Sequence, residues 1–440
     1  ALFIILAMTY EETIEYLYNQ TPMFERQGAT GYKEGLQNTI SFDKHFNHPH
    51  KAFKTIHVAG TNGKGSCSHT IAALLQLAGF KVGLYTSPHL IDFRERIRVN
   101  GNCIEKEYVV DFVKEEREFI EQLHPSFFEV TTAMAFKYFK DSNVDIAVVE
   151  VGLGGRLDCT NIITPLLSII TNISFDHTQF LGDTLSKIAN EKAGIIKDGI
   201  PVIIGESCAE TTSVFDNKAK ECGSKIVYAE KHPEVISAEK NERGIIYQTK
   251  SWGVITGKLT GDYQRKNTNT ILTAINILGK LGLFSHISEA DLRVIVGKAF
   301  ENVSQLTGFM GRWQIVGNNP LTICDTGHNE AGWKYISQQL KSINCTHLHI
   351  VFGMVDDKDI DNVMAMLPKK ATYYFTQADN KRSLSSKTIH EMANKNNLNG
   401  SYFKNVSSAY KKAEMAAGPD DAIFVGGSTY VVADFLKESH

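Results

Sequence analysis

Short β-rich runs alternate with longer amphipathic ones along most of this 440-residue chain, and that alternation constrains the fold more than any other feature. Runs at 55–59, 146–151, 166–173 and 201–205 are apolar with few charges, as expected of strands buried on both faces of a parallel sheet. Helical stretches fall between them. In 65–78, Ile71, Leu74, Leu75 and Ala78 recur at helical spacing and build one apolar stripe, and 108–123 has a strongly charged outer face. The stretch 235–259 reads as a small antiparallel excursion at the end of the first domain. Helices are expected over 267–281 and 288–303. A glycine-flanked segment, 307–312, then precedes a second round of strands at 321–325, 349–353, 372–376, 401–403 and 422–425. The expected fold class is α/β in two domains: an N-terminal, mostly parallel sheet flanked by helices, and a smaller Rossmann-like C-terminal α/β domain. The boundaries expected are 8–306 and 307–440, with 1–7 an extraneous remnant ahead of a native start at Met8.

Composition removes several function classes. Lys and Arg number 46 against 49 Asp and Glu, a net charge of -3, so no broad basic field is available for nucleic acid. Any anion site must be local. Seven scattered cysteines without a C-x-x-C pair read as reduced thiols of a cytoplasmic protein. No apolar stretch reaches the ~18 to 20 residues that a membrane span needs, so no membrane partner is expected.

The stretch from His57 to Ser66, HVAGTNGKGS, leaves a predicted strand and enters a predicted helix. Gly60, Gly63 and Gly65 let the backbone turn and aim N–H groups at one anion, and the helix N-terminus adds its positive dipole end. Lys64 would contribute a point charge and Ser66 a hydroxyl ligand for magnesium. The segment is a variant of the G-x-x-x-x-G-K-[ST] loop, because Val58 replaces the first glycine and Gly65 separates Lys64 from Ser66. The alternative is a glycine-rich connection that binds nothing. Glu150 closes an apolar run just before Gly152, Gly154 and Gly155, which delivers a carboxylate to the carboxyl edge of the sheet, where ligands of open α/β folds bind. It reads as a magnesium ligand, against helix capping or pairing with Arg156.

Further blocks recur in order: TSPHL (86–90) with Phe93 and Glu95-Arg96-Ile97, DIAVVEVGLGGRLDCTN (145–161), Asp176-His177, EKAGIIK (191–197), GDYQ (261–264), Arg312, DTGHN (325–329) and GSTY (427–430). Together with the phosphate loop they resemble the Mur ligase family of ATP-dependent amide-forming enzymes, in its folylpolyglutamate synthase and dihydrofolate synthase branch. The resemblance implies that Thr61, Asn62, Gly63, Lys64, Gly65 and Ser66 hold ATP phosphates. It implies interdomain ATP contacts from Gln264, Asn267 and Arg312, with Asp325 toward ribose and His328 toward phosphate. It also implies a second metal ion on His177, and a Lys192 carbamylated by carbon dioxide that joins the metal site. Here Thr326-Gly327 and Glu330 depart from the family's usual residues, and Lys358 resembles a further family block. On the folate side it points to Leu90, Phe93, Arg96, Phe128 and Thr131. The aromatics among these serve equally well as core.

The reaction implied is phosphorylation of a substrate carboxylate by ATP and displacement of phosphate from the acyl phosphate by the amine of L-glutamate, with a folate and also dihydropteroate as acceptors. Lys64, Lys192 and His177 would be its catalytic residues, and the resemblance leans toward a monomer. Three alternatives stay open: a Mur ligase acting on a nucleotide-linked cell-wall precursor, a phosphate-loop kinase, and a non-catalytic nucleotide-binding scaffold.

Overall fold

Uninterrupted apolar runs become the central strands of two α/β units in a computed structural model that describes residues 8–22, 35–356 and 360–439. The expectations for 1–7 and for Lys358 lie outside the described residues. One unit takes in the described residues up to Ile173 with His177–Glu234 and Asn269–Gly308. Its strands are β1 (Lys54–Ala59), β2 (Val82–Tyr85), β3 (Ile97–Val99), β4 (Asn102–Cys103), β5 (Ile146–Glu150), β6 (Leu167–Ile170), β7 (Val202–Ile204) and β8 (Ile226–Tyr228). They lie in the order β4-β3-β2-β5-β1-β6-β7-β8. The run from β2 to β8 is parallel, and β3 and β4 add an antiparallel edge.

Strand β1 shows why the alternation works. Ile56, Val58 and Ala59 are fully buried between β5 and β6, so neither face tolerates a charge. From β1 the chain passes through the Lys64–Leu77 helix to β2, on the far side of β5, whereas β5 connects to β6 on the opposite side of β1. The carboxyl ends of β1 and β5 therefore flank a point where strand order reverses, the position at which open α/β sheets bind ligands.

The second unit comprises Ser174–Asp176, Val235–Thr268 and the chain from Phe309 onward. Strands β9 (Val235–Asn241), β10 (Gly244–Thr249) and β11 (Val254–Gly257) form the expected antiparallel excursion. The sequence reading keeps this stretch with the first domain, but by packing it sides with the second unit. Its tail explains why: Asp262 N–H donates to Gln339 Oε1 at 2.9 Å, and Gln339 Nε2 returns a bond to the Thr260 carbonyl at 3.0 Å. The larger sheet contains β12 (Gln314–Asn318), β13 (Leu321–Asp325), β14 (Leu348–Phe352), β15 (Thr372–Phe375), β16 (Gly400–Tyr402) and β17 (Ala422–Gly426), in the order β12-β13-β17-β14-β15-β16. All but β12 run parallel. Trp333 is completely buried and packs edge-on against Phe352 and Phe424 at the centre of this core.

Several elements differ from the sequence reading. Phe128 and Thr131, read as folate-side residues, lie on a helix, Phe127–Asp141, started by a capping box between Ser126 and Glu129. Strands β3 and β4, three and two residues long, are too short for a period to show, and β12 is a largely exposed edge strand. No described helix is long and apolar enough to cross a membrane.

Candidate active site

The turn after β1 is held open by neighbours rather than by its own residues. Gly60 has φ +143°, and a Cβ there would lie 1.8 Å from Thr171 Oγ1, so only glycine fits. Thr171 and Asn172 follow β6 and clamp the loop. Thr171 Oγ1 donates to the Asn62 carbonyl, Asn62 N–H donates to Asn172 Oδ1 at 2.9 Å, and Thr61 N–H to the Asn172 carbonyl at 3.0 Å. Gly63, at φ +86°, is the N-cap from which the Lys64–Leu77 helix starts.

Two ammonium groups meet at one carbonyl. Lys64 Nζ donates to Gly60 O at 3.0 Å and to Thr61 O at 3.1 Å, and Lys192 Nζ donates to the same Gly60 O at 3.0 Å. Lys192 is only 4% exposed, at the end of the Leu185–Ala193 helix. Two cations beside a helix N-terminus make this corner electropositive and suited to a polyanion.

Glu150 supplies the opposite charge. It pairs in register with Val58 across β5 and β1, is 4% exposed, and accepts the Ser87 N–H at 3.2 Å. The Lys64–Leu77 helix, with Ser66 in its first turn, packs against β5, and burial and then the Glu150 charge push the Cys67 thiol far up. Among the described residues no group of three or more His, Cys, Asp and Glu side chains could hold a metal ion. A full protein cage is therefore absent there, and one carboxylate with a serine hydroxyl fits magnesium that arrives with nucleotide phosphates.

Gly152, two residues on, lies beneath the Phe128 ring, where a Cβ would stand 2.5 Å from Cζ. The rest of this loop is pinned on both sides. Asp158 accepts Leu153 N–H at 2.8 Å and Thr160 N–H at 3.0 Å. His57, pushed down to about 3 by burial and then by Lys197, stays neutral and bonds Thr160 Oγ1 at 2.8 Å. Arg156 pairs with Glu191 at 2.9 Å, and its N–H donates to the Glu191 carbonyl at 2.7 Å, next to Lys192. His177 caps the four-residue Thr178–Leu181 helix with φ +49°.

The folate-side residues divide. Leu90 and Phe128 are half-buried. Phe93, 2% exposed, packs edge-on against Phe127, and Thr131 is buried with its hydroxyl donating to the Phe127 carbonyl at 2.7 Å. Both are core residues. Arg96, 1% exposed, donates from Nε to His89 Nδ1 at 2.7 Å and lies over the Phe127 ring. It thereby ties the two ends of the 89–96 segment together.

In the second unit Asp325 ends β13. Its carboxylate takes three donors: the Tyr263 hydroxyl at 2.8 Å, Trp313 N–H at 2.7 Å and Gly327 N–H at 2.7 Å. Burial raises its pKa against the pull of the Arg312 guanidinium. Asp325 thus organises its own turn first. For His328, burial works downward but the Asp176 hydrogen bond and charge outweigh it, and the imidazole pKa is raised. Asn329 binds Asp176 at 3.1 Å and caps the Glu330–Ser342 helix through Gly332 N–H. Gln264 and Asn267, both buried, bond to each other at 3.0 Å.

Sequence reasoning missed Thr171, Asn172, Asp158 and Tyr263. The polar pair that ends β6 beside β1 was the available signal for the first two, since a strand's carboxyl end is where polar residues acquire function.

A phosphate loop with a strand-end carboxylate, joined in one chain to a second α/β unit, defines an ATP-dependent ligase of the Mur type. The model of the Mur ligase middle domain matches residues 58–276, and that of the Mur ligase, glutamate ligase domain matches 311–429. The chain belongs to the dihydrofolate synthase/folylpolyglutamate synthase family. It is 32% identical over 420 residues to the dihydrofolate synthase/folylpolyglutamate synthase of Bacillus subtilis strain 168, covering 92% of this chain and 95% of that protein. Escherichia coli FolC in complex with DHPP and ADP superposes with a TM-score of 0.81 at 28% identity, covering 98% of each chain. A bifunctional folylpolyglutamate synthase/dihydrofolate synthase with Mn, AMPPNP and L-glutamate bound gives 0.78 at 28% identity, again over 98% of each chain.

Proposed function

We propose that this ligase adds L-glutamate to the terminal carboxylate of a folate and also to dihydropteroate. The observation that carries the reading is the meeting of Lys64 and Lys192 at the Gly60 carbonyl, beside a helix N-terminus, with Glu150 in register on the next strand. The names of the Bacillus subtilis relative and of the FolC complex support the choice of substrates.

In this mechanism a substrate carboxylate oxygen attacks the γ-phosphorus, the bond to the β-phosphate oxygen breaks, and ADP leaves. The glutamate amine then attacks the acyl carbonyl, loses a proton, and expels inorganic phosphate. Lys64 exchanges its two carbonyl partners for phosphate oxygens, and the N–H groups of 63–65, at the start of the Lys64–Leu77 helix, face the same charge. Glu150 and Ser66 would hold a magnesium ion, which when bound would supply further neutralisation. Phe128, lying on Gly152 two residues past Glu150, walls the acceptor toward this corner. Lys192, buried and held at the Gly60 carbonyl, would be the residue that carbon dioxide converts to a carbamate. His177 would join that group on a second ion. Gln264, Asn267, Arg312, Asp325 and His328 remain the nucleotide-side residues of the second unit. On this reading the enzyme acts as a cytoplasmic monomer, and its seven free cysteines suit a reducing compartment.

The test is ADP release with dihydropteroate and with tetrahydrofolate, each with and without glutamate. Glutamate-dependent release with both is expected, and Lys64→Ala should lower kcat by about 100-fold or more while the circular dichroism spectrum stays unchanged. Release that ignores glutamate and follows a hydroxyl acceptor would make the protein a kinase.

A further inference from the structure

Two carboxylates grip one loop. Residues 86–96 leave β2 and enter β3, closed at the base by Thr86 N–H donating to the Arg96 carbonyl at 3.0 Å. Glu150 takes the Ser87 N–H at one end of the loop. Glu95 turns back into the loop itself. Its Oε2 accepts Leu90 N–H at 2.8 Å, and its Oε1 accepts Ile91 N–H at 2.9 Å and Asp92 N–H at 2.8 Å. Asp92 is tied from outside by the Tyr10 hydroxyl at 2.8 Å and by Arg94 Nε at 3.1 Å.

A capping side chain ordinarily serves one backbone donor, and the 3-10 turn Phe93–Arg96 needs no more than that. Three consecutive donors converging on one ionised group form an anion nest filled by the protein's own side chain. Hydrogen bonds to an ionised acceptor are about twice as strong as neutral ones, so the stretch 90–92 cannot shift without losing several of them together.

We propose that Glu95 is a positioning residue for the acceptor substrate. It fixes Leu90 as an apolar wall for a flat pterin-type ring system, at a set place relative to the Glu150 end of the same loop. The inference rests on the folate reading above. Glu95 touches no reacting group and acts through the loop.

Glu95→Gln keeps the size of the side chain but turns one acceptor oxygen into an NH2 group that faces a backbone N–H. The KM for dihydropteroate and for tetrahydrofolate should rise about tenfold, with kcat and the KM for ATP unchanged and the thermal midpoint within a few degrees of wild type. In a double-mutant cycle, Leu90→Ala should cost much less in Glu95→Gln than in wild type. If the glutamine variant folds poorly, Glu95→Asp keeps the charge, withdraws it by one methylene, and should show the same split at smaller size. An unchanged acceptor KM in a folded variant, an equal rise for ATP, or full additivity with Leu90→Ala overturns the proposal. Wild-type protein that turns over neither acceptor overturns the folate reading first, before any variant is compared.

Discussion

At Gly60 one side chain is excluded by two independent constraints, a backbone angle of +143° and the Thr171 hydroxyl 1.8 Å from where a Cβ would be. Gly60→Ala should therefore destabilise the protein by about 3 kcal/mol in urea unfolding and remove ADP release, since the loop cannot relax without breaking the Thr171 clamp. His328 makes a pH prediction with a definite sign. Its pKa is raised in the folded state by Asp176, so the protonated imidazole contributes stability that is fully present below the unfolded value of about 6.5 and lost as pH rises through the higher folded value. Thermal midpoints scanned from pH 5 to pH 9 should fall across that window in wild type, and the step should disappear in His328→Gln. These two residues mark what was legible. Gly60 and His328 stood out in the sequence by their type within a block. Thr171 and Asp176 acquire their roles from partners roughly 110 and 150 residues away, and no local pattern encodes such pairings.

Elements with a strong period were readable nearly to the residue. Strand β13 falls at 321–325 as expected, and the helix read at 65–78 spans Lys64–Leu77. Burial on both faces explains this, because a single polar residue in such a strand would be costly. At the sheet edge β12 is largely exposed, lacks that pressure and went unseen, and β3 and β4 are too short to show a period. The Phe127–Asp141 helix teaches a different lesson, since its capping box was present in the sequence while Phe128 and Thr131 drew the functional reading. Ser126 Oγ accepts the Glu129 N–H at 3.3 Å, and Glu129 Oε2 accepts the Ser126 N–H at 2.6 Å. Ser126→Ala should cost about 1 kcal/mol in chemical denaturation, with little change in ATP affinity. A larger loss of activity than of stability would mean that this helix end also shapes the acceptor side, through Phe128.

On the scale of the whole molecule, sequence order and packing divide the chain differently. The family's middle-domain model runs on to residue 276, whereas Val235–Thr268 packs with the second unit. A fragment of residues 309–440 would lose Tyr263 from Asp325 and both Gln339 bonds, which leaves a buried carboxylate short of a donor. Expressed alone, it should melt well below the full chain and bind a hydrophobic dye, and a fragment as stable as the parent would show that the three-stranded sheet contributes little.

That discontinuity also sets a timetable for synthesis. The hairpins of β9–β11 leave the ribosome long before β13, β14 and β17 exist, so they must wait, with Tyr263 lacking its aspartate and Thr260 and Asp262 lacking Gln339, until the rest of the second unit has been translated. A nascent chain stalled after about residue 300 should accordingly recruit chaperones through this small sheet, while the parallel sheet that precedes it is already closed.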